Sequence, residues 1–231
     1  MRLVPGDAKL DGTALIAGFH GIGATGYWTV KFLVNELKAK RVCFIDYEHA
    51  PAVSFFSEKR VITPYEVYAA RDLSLLKAEI SPVRERENEF YGGLAEWLRE
   101  SGVREVALVG GLDESLRNDD SKYKVVMTSK FAERGELKDE RFLEDDRMIV
   151  GPVAALLNYF EMYSFPAYAV LAYSNVERVD PRAAACAVGF LSRRYGFEAD
   201  VAPLIKGAEA IEGEVKMVEE RERGPSSSVY S

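Results

Sequence analysis

A glycine-rich loop near the start of the chain has the spacing of a phosphate-binding turn. The segment GIGATG places Gly21, Gly23 and Gly26 between an apolar run and a segment of helical periodicity. Glycines there allow a tight turn, and the unpaired N–H groups at the start of the helix attract an anion. Asp46 ends the next apolar run, where an acidic side chain can accept a hydrogen bond from a ribose hydroxyl. The pattern therefore indicates a Rossmann-type nucleotide site, with these four residues as candidates for cofactor binding.

A purely structural role for the same glycines is the alternative. Phe19 and His20 separate the predicted strand from the first glycine, and no Tyr-x-x-x-Lys pair on a later helix offers a hydride-transfer partner. The glycines would then only let the first helix pack closely on the strand before it. The sequence leaves both interpretations open.

Few other residues have a pattern that suggests catalysis. The two histidines, His20 and His49, follow predicted strand ends and could line one crevice together with Asp46, Glu48 and Asp113. Metal-binding spacings, a Gly-x-Ser-x-Gly elbow and a Walker lysine are absent, and neither Cys43 nor Cys186 has an activating neighbour in sequence. We therefore expect no catalytic residue, no metal and no cofactor.

The elements that must position these residues alternate between strands and helices. Short apolar runs predict strands at 13–19, 41–46, 73–80, 104–111, 123–129 and 167–174. Segments of helical periodicity predict helices at 25–40, 87–101, 152–163 and 181–195. Strands separated by helices of this length indicate an α/β fold with a mostly parallel sheet that is covered by helices on both faces.

Composition limits the organisation and the partners. The 231 residues are 48% hydrophobic, enough for one domain at 1–223, and the Ser-rich segment 224–231, which begins with Gly-Pro, predicts a flexible tail. The net charge of −7 comes without a basic stripe, so nucleic acid is not an expected partner. No apolar stretch is long enough to span a bilayer, so we expect a cytoplasmic protein without membrane contact.

The last predicted helix, at about 201–223, has a narrow apolar seam. Its apolar residues recur at alternating steps of four and three, over about two heptads. They are Leu204, Ala208, Ile211, Val215 and Val218. The seam either packs on the chain's own domain or contacts another subunit.

The order of these pieces resembles the proteasome-assembly-chaperone type 2 family. The similar segments run from about residue 10 to about residue 205. They are IAGFHGIGATGYWTVKFLVNELKA, ITPYEVYAARDLSLLKAEISP, YGGLAEWLRESGVREVALVGGL, VGPVAALLNYFEMYSFPAYAVLAYSN and DPRAAACAVGFLSRRYGFEADV. The resemblance implies a phosphorylase-like α/β fold, a homo-oligomer and, as in archaeal members, binding to the 20S proteasome.

The resemblance also gives the last three residues a role. Proteasome activators insert a C-terminal hydrophobic-Tyr-X motif between neighbouring α-ring subunits, and Val229, Tyr230 and Ser231 match that motif. We therefore expect an ATP-independent protein that is not an enzyme and that docks on the α-ring as an assembly chaperone or as an activator of the 20S core particle. The rival hypothesis is the Rossmann-type oxidoreductase that the glycine loop indicates.

Overall fold

The computed structural model describes residues 1–4, 10–57 and 59–211. Within these residues the strands are Arg2–Val4 (β1), Ala14–Gly18 (β2), Lys40–Asp46 (β3), Phe55–Ser57 (β4), Arg60–Ile62 (β5), Tyr65–Ala70 (β6), Leu73–Ala78 (β7), Glu105–Asp113 (β8), Tyr123–Met127 (β9) and Ala167–Ser174 (β10). The helices are Thr25–Glu36 (α1), Glu87–Glu100 (α2), Ser129–Ala132 (α3), Pro152–Met162 (α4) and Pro181–Tyr195 (α5). Residues 202–211 are also helical.

Eight of the strands form one sheet in the order β1-β3-β6-β7-β2-β8-β10-β9. The four central strands, β7, β2, β8 and β10, are parallel neighbours, whereas β1, β3 and β6 on one side and β9 on the other join the sheet by antiparallel pairing. The α/β class is confirmed, and the mostly parallel arrangement holds for the centre of a mixed sheet. Only residues 71–72 separate β6 from β7, and a connection that short cannot make a parallel crossover.

Helices cover both faces of the sheet, as the sequence predicts. On one face α2 and α4 supply Phe90, Leu94, Leu156 and Phe160 to a core with the inner residues of β2, β6 and β8. On the other face α1 and α5 pack against the alternate residues of the same strands. Because β2 and β10 are buried along their whole length, they read in the sequence as continuous apolar runs.

The segment between β3 and β7 contains structure that the sequence did not predict. It forms β6 and a separate two-stranded sheet of β4 and β5. In β6 the carboxylate of Glu66 is fully buried, and it accepts hydrogen bonds from Arg41 Nη1 at 3.1 Å and from the backbone N–H of Thr63 at 3.0 Å. Because Glu66, the second residue of β6, is charged, this strand does not form an uninterrupted apolar run in the sequence.

The last helical segment packs on its own domain. Leu204 and Ala208 are buried, and Leu204 belongs to the core between the sheet, α1 and α5. For Leu204 and Ala208 this favours packing of the seam on the chain's own domain over contact with another subunit. Val215 and Val218 lie outside the described residues. Among the described helices, none combines the length and the apolar character that crossing a membrane requires.

Candidate functional site

The glycine loop lies at the carboxyl ends of β2 and β8, two neighbouring strands whose following connections lead to opposite sides of the sheet. After β2 the chain turns through α1 toward the β3 side of the sheet, and after β8 it continues to β9 and β10 on the other side. In open α/β sheets, the crevice beyond the carboxyl ends of such strands is the usual ligand position. A cavity of about 360 Å³ lies here, between the loop after β2, the end of β8 and the first turn of α4.

The three loop glycines differ in what they do. Gly26 packs so closely on the sheet that a Cβ atom would lie 2.4 Å from the Val109 carbonyl oxygen and 2.8 Å from the Phe19 nitrogen. Gly23 has a φ of +59° and leaves no room for a Cβ beside Ser174 Oγ. Gly21 has an extended backbone and open space around it, so another residue would fit there. Close packing therefore explains two of the three glycines.

Backbone groups of the loop are already paired within the chain. The Thr25 N–H donates to the Ile22 carbonyl, and the Tyr27 N–H donates to the Phe19 carbonyl at 3.1 Å. The Gly23 carbonyl accepts from the backbone N–H of Asp180 at 2.9 Å. Since a phosphate-binding turn depends on free N–H groups at the start of its helix, this loop has fewer of them to offer an anion.

Asp46 does not lie beside the loop. It is at the end of β3, and β6 and β7 separate that strand from β2. Three strand spacings amount to about 14 Å, and the Asp46 carboxylate accepts a hydrogen bond from Arg2 of β1. In a dinucleotide-binding fold the acidic residue ends the strand next to the glycine loop, so the inserted strands separate the two parts of the predicted nucleotide site.

The single crevice predicted for the two histidines is also not formed. His20 and Asp113 line the cavity beyond β2 and β8. His49 instead lies in the loop after β3, with its Nε2 3.6 Å from Glu89 of α2. Glu48, in the same loop as His49, is exposed. No group of three or more His, Cys, Asp or Glu side chains suited to a metal ion occurs in the described part of the chain.

Neither cysteine is placed as a nucleophile. Burial raises the pKa of the Cys43 thiol to about 11 and also raises the pKa of Cys186. A reactive cysteine needs a lowered pKa, since the thiolate is the nucleophile. The two thiols therefore give no support to covalent catalysis.

A polar cluster that the sequence analysis missed surrounds His20. Its ring stacks on Tyr27 with the centroids 4.2 Å apart, and its Nε2 donates to the Glu79 carbonyl oxygen at 3.0 Å. The Glu79 carboxylate accepts from the Tyr27 hydroxyl at 2.6 Å and pairs with Lys77 Nζ at 2.7 Å. These contacts tie α1 to the end of β7, so the cluster holds the loop in place.

The pKa of Glu79 gives this cluster a measurable pH dependence. Burial alone would raise it, but hydrogen bonds from Lys77 and Tyr27 lower it below its ordinary value. A lowered pKa in the folded state stabilises the protein above the ordinary glutamate pKa, and this contribution is lost as the pH falls through the folded-state value.

We therefore expect the stability advantage of the wild type over Glu79→Gln to be full at neutral pH and to shrink progressively below about pH 4.5. Urea unfolding of both proteins between pH 7 and pH 3 measures it. Glu87→Gln, which replaces an exposed glutamate at the start of α2, is the control. A pH-independent difference for Glu79→Gln would contradict the assignment.

The rim of the cavity is apolar and exposed. Met148 is 85% exposed, Val150 is 65% exposed, and Leu116 also lies at the surface. All three residues line the cavity, together with backbone of Gly110 and Gly111. An exposed apolar rim around an apolar pocket is typical of a surface that contacts another molecule. The proposed docking residues Val229, Tyr230 and Ser231 lie outside the described residues.

A family model for the PAC2 family matches residues 15–219. The chain belongs to the PAC2 family. This match confirms the resemblance to the proteasome-assembly-chaperone type 2 family that the sequence segments indicate. It covers β2 from its second residue, every later strand and every described helix, so the glycine loop and the cavity are both within the PAC2 part of the chain.

Solved structures share the fold of this PAC2 chain. Pyrococcus furiosus PbaA, described as an archaeal homolog of proteasome-assembly chaperone, has a TM-score of 0.81 and 25% identity, over 93% of this chain and 90% of PbaA. Pyrococcus furiosus PbaB, described as an archaeal proteasome activator, has a TM-score of 0.75 and 22% identity, over 91% of this chain and 94% of PbaB. A Thermoplasma acidophilum protein of unknown function has a TM-score of 0.73 and 18% identity, over 92% and 88% of the two chains. The search of curated proteins gave no match.

Proposed function

We propose that this PAC2 protein is an ATP-independent proteasome-binding protein, an assembly chaperone or an activator of the 20S core particle. The observation that carries the proposal is the structural match to PbaA over nearly the whole of both chains. Family membership and the likeness to PbaB agree with it, although the lower identity to PbaB supports the fold alone. In this proposal the protein is cytoplasmic, and its α/β domain is a platform that makes and breaks no covalent bonds.

The C-terminal tail is the proposed contact with the α-ring. Val229 supplies a small apolar anchor, and Tyr230 supplies a large side chain with a hydroxyl for hydrogen bonding. The carboxylate of Ser231 can form a charge-assisted hydrogen bond with a lysine of the receptor pocket. We place this motif in a tail at 224–231 that follows the folded domain at 1–223.

A homo-oligomer would make these weak contacts effective. Binding by one short tail is weak, because ordering the segment costs conformational entropy. Several tails on one particle raise the effective concentration of each tail at the ring, and linked contacts of this kind can strengthen binding by about 10²–10⁴-fold. We therefore propose self-association as part of the function.

Deletion of Val229, Tyr230 and Ser231 should abolish co-sedimentation with purified 20S particles, because it removes the anchors and moves the terminal carboxylate. The chain with Ser226, the first tether residue, changed to alanine is the matched control and should bind like the wild type. Circular dichroism and light-scattering mass should be unchanged in both variants. Undiminished binding after the deletion would disprove docking by the tail.

A further inference from the structure

The hairpin of β4 and β5 is apolar on both of its faces. On one face Phe55, which is 39% exposed, pairs with Ile62, which is buried against the rest of the protein. Phe56 pairs with Val61 on the opposite face, where Phe56 is 78% exposed and Val61 is 57% exposed. A two-stranded sheet has little stability of its own in water, and an outward pair of this size is an expected site of contact with another molecule.

The cavity beyond β2 and β8 is large enough to take an apolar side chain. Its volume of about 360 Å³ is near the lower end of the range for ligand pockets, and a large apolar side chain would bury much of its surface there. Met148 and Val150 extend the apolar surface outward from its mouth. The protein therefore has an exposed apolar hairpin and an apolar cavity. His20 lies beside both, since it lines this cavity and also lines a second pocket together with Phe55 and Phe56 of the hairpin.

The charges around the two surfaces have opposite signs. The hairpin sequence, at 55–62, contains two basic residues and one acidic residue, a net charge of +1. The loops beside the cavity, at 113–117 and 145–147, each contain two acidic residues and one arginine, for a combined net charge of −2. Charge complementarity of this kind favours contact between the hairpin of one molecule and the cavity rim of another.

We propose that the β4–β5 hairpin of one copy of this chain docks on a second copy, with Phe56 entering the cavity between the β2 loop, β8 and α4. The inference rests on the self-association included in the proposed function and assigns the surfaces that make it. Phe56 is the central apolar contact, Val61 packs against Met148 and Val150 at the rim, and Lys59 approaches the acidic loops. The C-terminal tail takes no part in this contact.

Disulfide cross-linking between two differently tagged chains tests the contact directly. One chain carries Phe56→Cys and the other carries Val150→Cys, both with Cys186→Ser, while the buried Cys43 is retained. A disulfide needs Cα atoms within about 7 Å, so it reports a close approach of these two positions. After co-expression and mild oxidation, we expect at least tenfold more mixed dimer than from Phe56→Cys paired with Met162→Cys. Met162 is the matched control, because it is equally apolar and is 67% exposed at the end of α4.

Light-scattering mass supplies the second measurement. Phe56→Ser and Val150→Asp should each shift the particle to a smaller mass, whereas Met162→Ser should leave the mass of the wild type unchanged. The proposal is overturned if the wild type is a monomer, if both variants keep the wild-type mass, or if Phe56→Cys cross-links with itself as well as with Val150→Cys. The chain without residues 229–231 should give the same masses and cross-links as the full chain. A failure of tail docking and a failure of this contact are therefore separate results.

Discussion

Replacement of Gly26 by alanine should lower the free energy of unfolding by about 3 kcal/mol. The new Cβ would lie 2.4 Å and 2.8 Å from backbone atoms of Val109 and Phe19, and backbone cannot move aside as a flexible side chain can. The figure is a net loss, since the better helix propensity of alanine, about 1 kcal/mol, already offsets part of the overpacking cost. For a chain of this length the loss corresponds to a melting temperature lower by about 6–12 °C, which differential scanning calorimetry measures.

Gly21→Ala is the matched control for this substitution. Gly21 is exposed, has an extended backbone and leaves open space where the Cβ would be, so its replacement should cost almost nothing. The smaller backbone entropy of the unfolded alanine chain should even stabilise the protein by about 0.4–1 kcal/mol. If both substitutions were equally harmless, the close approach of α1 to the sheet would not explain the loop.

The second large effect is expected at Glu105, the first residue of β8. This side chain is 2% exposed and accepts hydrogen bonds from Arg134 Nη1 at 2.6 Å and from the Tyr195 hydroxyl at 3.0 Å, with Arg194 also within ion-pair distance. Glu105→Ala would leave the two guanidinium groups without their shared carboxylate. We expect a loss of about 3 kcal/mol, the lower end of the range for a broken buried pair, because both arginines keep partial contact with water.

Asp72→Ala provides the surface comparison for Glu105→Ala. Asp72 pairs with Arg104 at 3.4 Å, and both side chains are exposed. Exposed ion pairs contribute about 0–1 kcal/mol, so this variant should unfold close to the wild type in guanidinium chloride. If Glu105→Ala and Asp72→Ala lowered the free energy of unfolding equally, burial of Glu105 would not explain how much its ion pairs stabilise the protein.

The central strands were predictable because nearly all of their residues are buried. Buried parallel strands such as β2 and β10 need apolar side chains on both faces, and their runs stand out in the sequence. The ends of α5 also depend on local signals. Asp180 accepts hydrogen bonds from the backbone N–H groups of Arg182 and Ala183 at the start of α5, and Gly196 ends that helix with a φ of +67°.

Long-range pairing was not predictable from local patterns. The position of Asp46 relative to the glycine loop depends on β6 and β7 entering the sheet between β3 and β2, and nothing in the loop sequence reports that insertion. The end of α1 shows the same limit on a smaller scale. The helical pattern continues to Lys40, but Lys38 adopts a left-handed φ of +49° and the chain turns into β3.

The apolar rim of the cavity was missed for a related reason. Leu116, Met148 and Val150 lie in charged connecting segments, where single apolar residues carry no periodic signal. They come together only because the segments after β8 and before α4 meet above the sheet. The His20 cluster likewise depends on Glu79 following β7, the parallel neighbour of β2.

The strand order has a consequence for how the chain reaches its native state. The antiparallel pair of β6 and β7 joins residues close in sequence, such as Ala70 and Leu73, and can form early. The pairing of β2 with β8 joins Ala14 to Glu105, and β10 completes the centre only after residue 167. During synthesis on a ribosome, the edge of β2 that pairs with β8 therefore stays unpaired until β8 has been synthesised. We expect this unpaired edge to cause slow steps during refolding and aggregation of nascent fragments that end before β8.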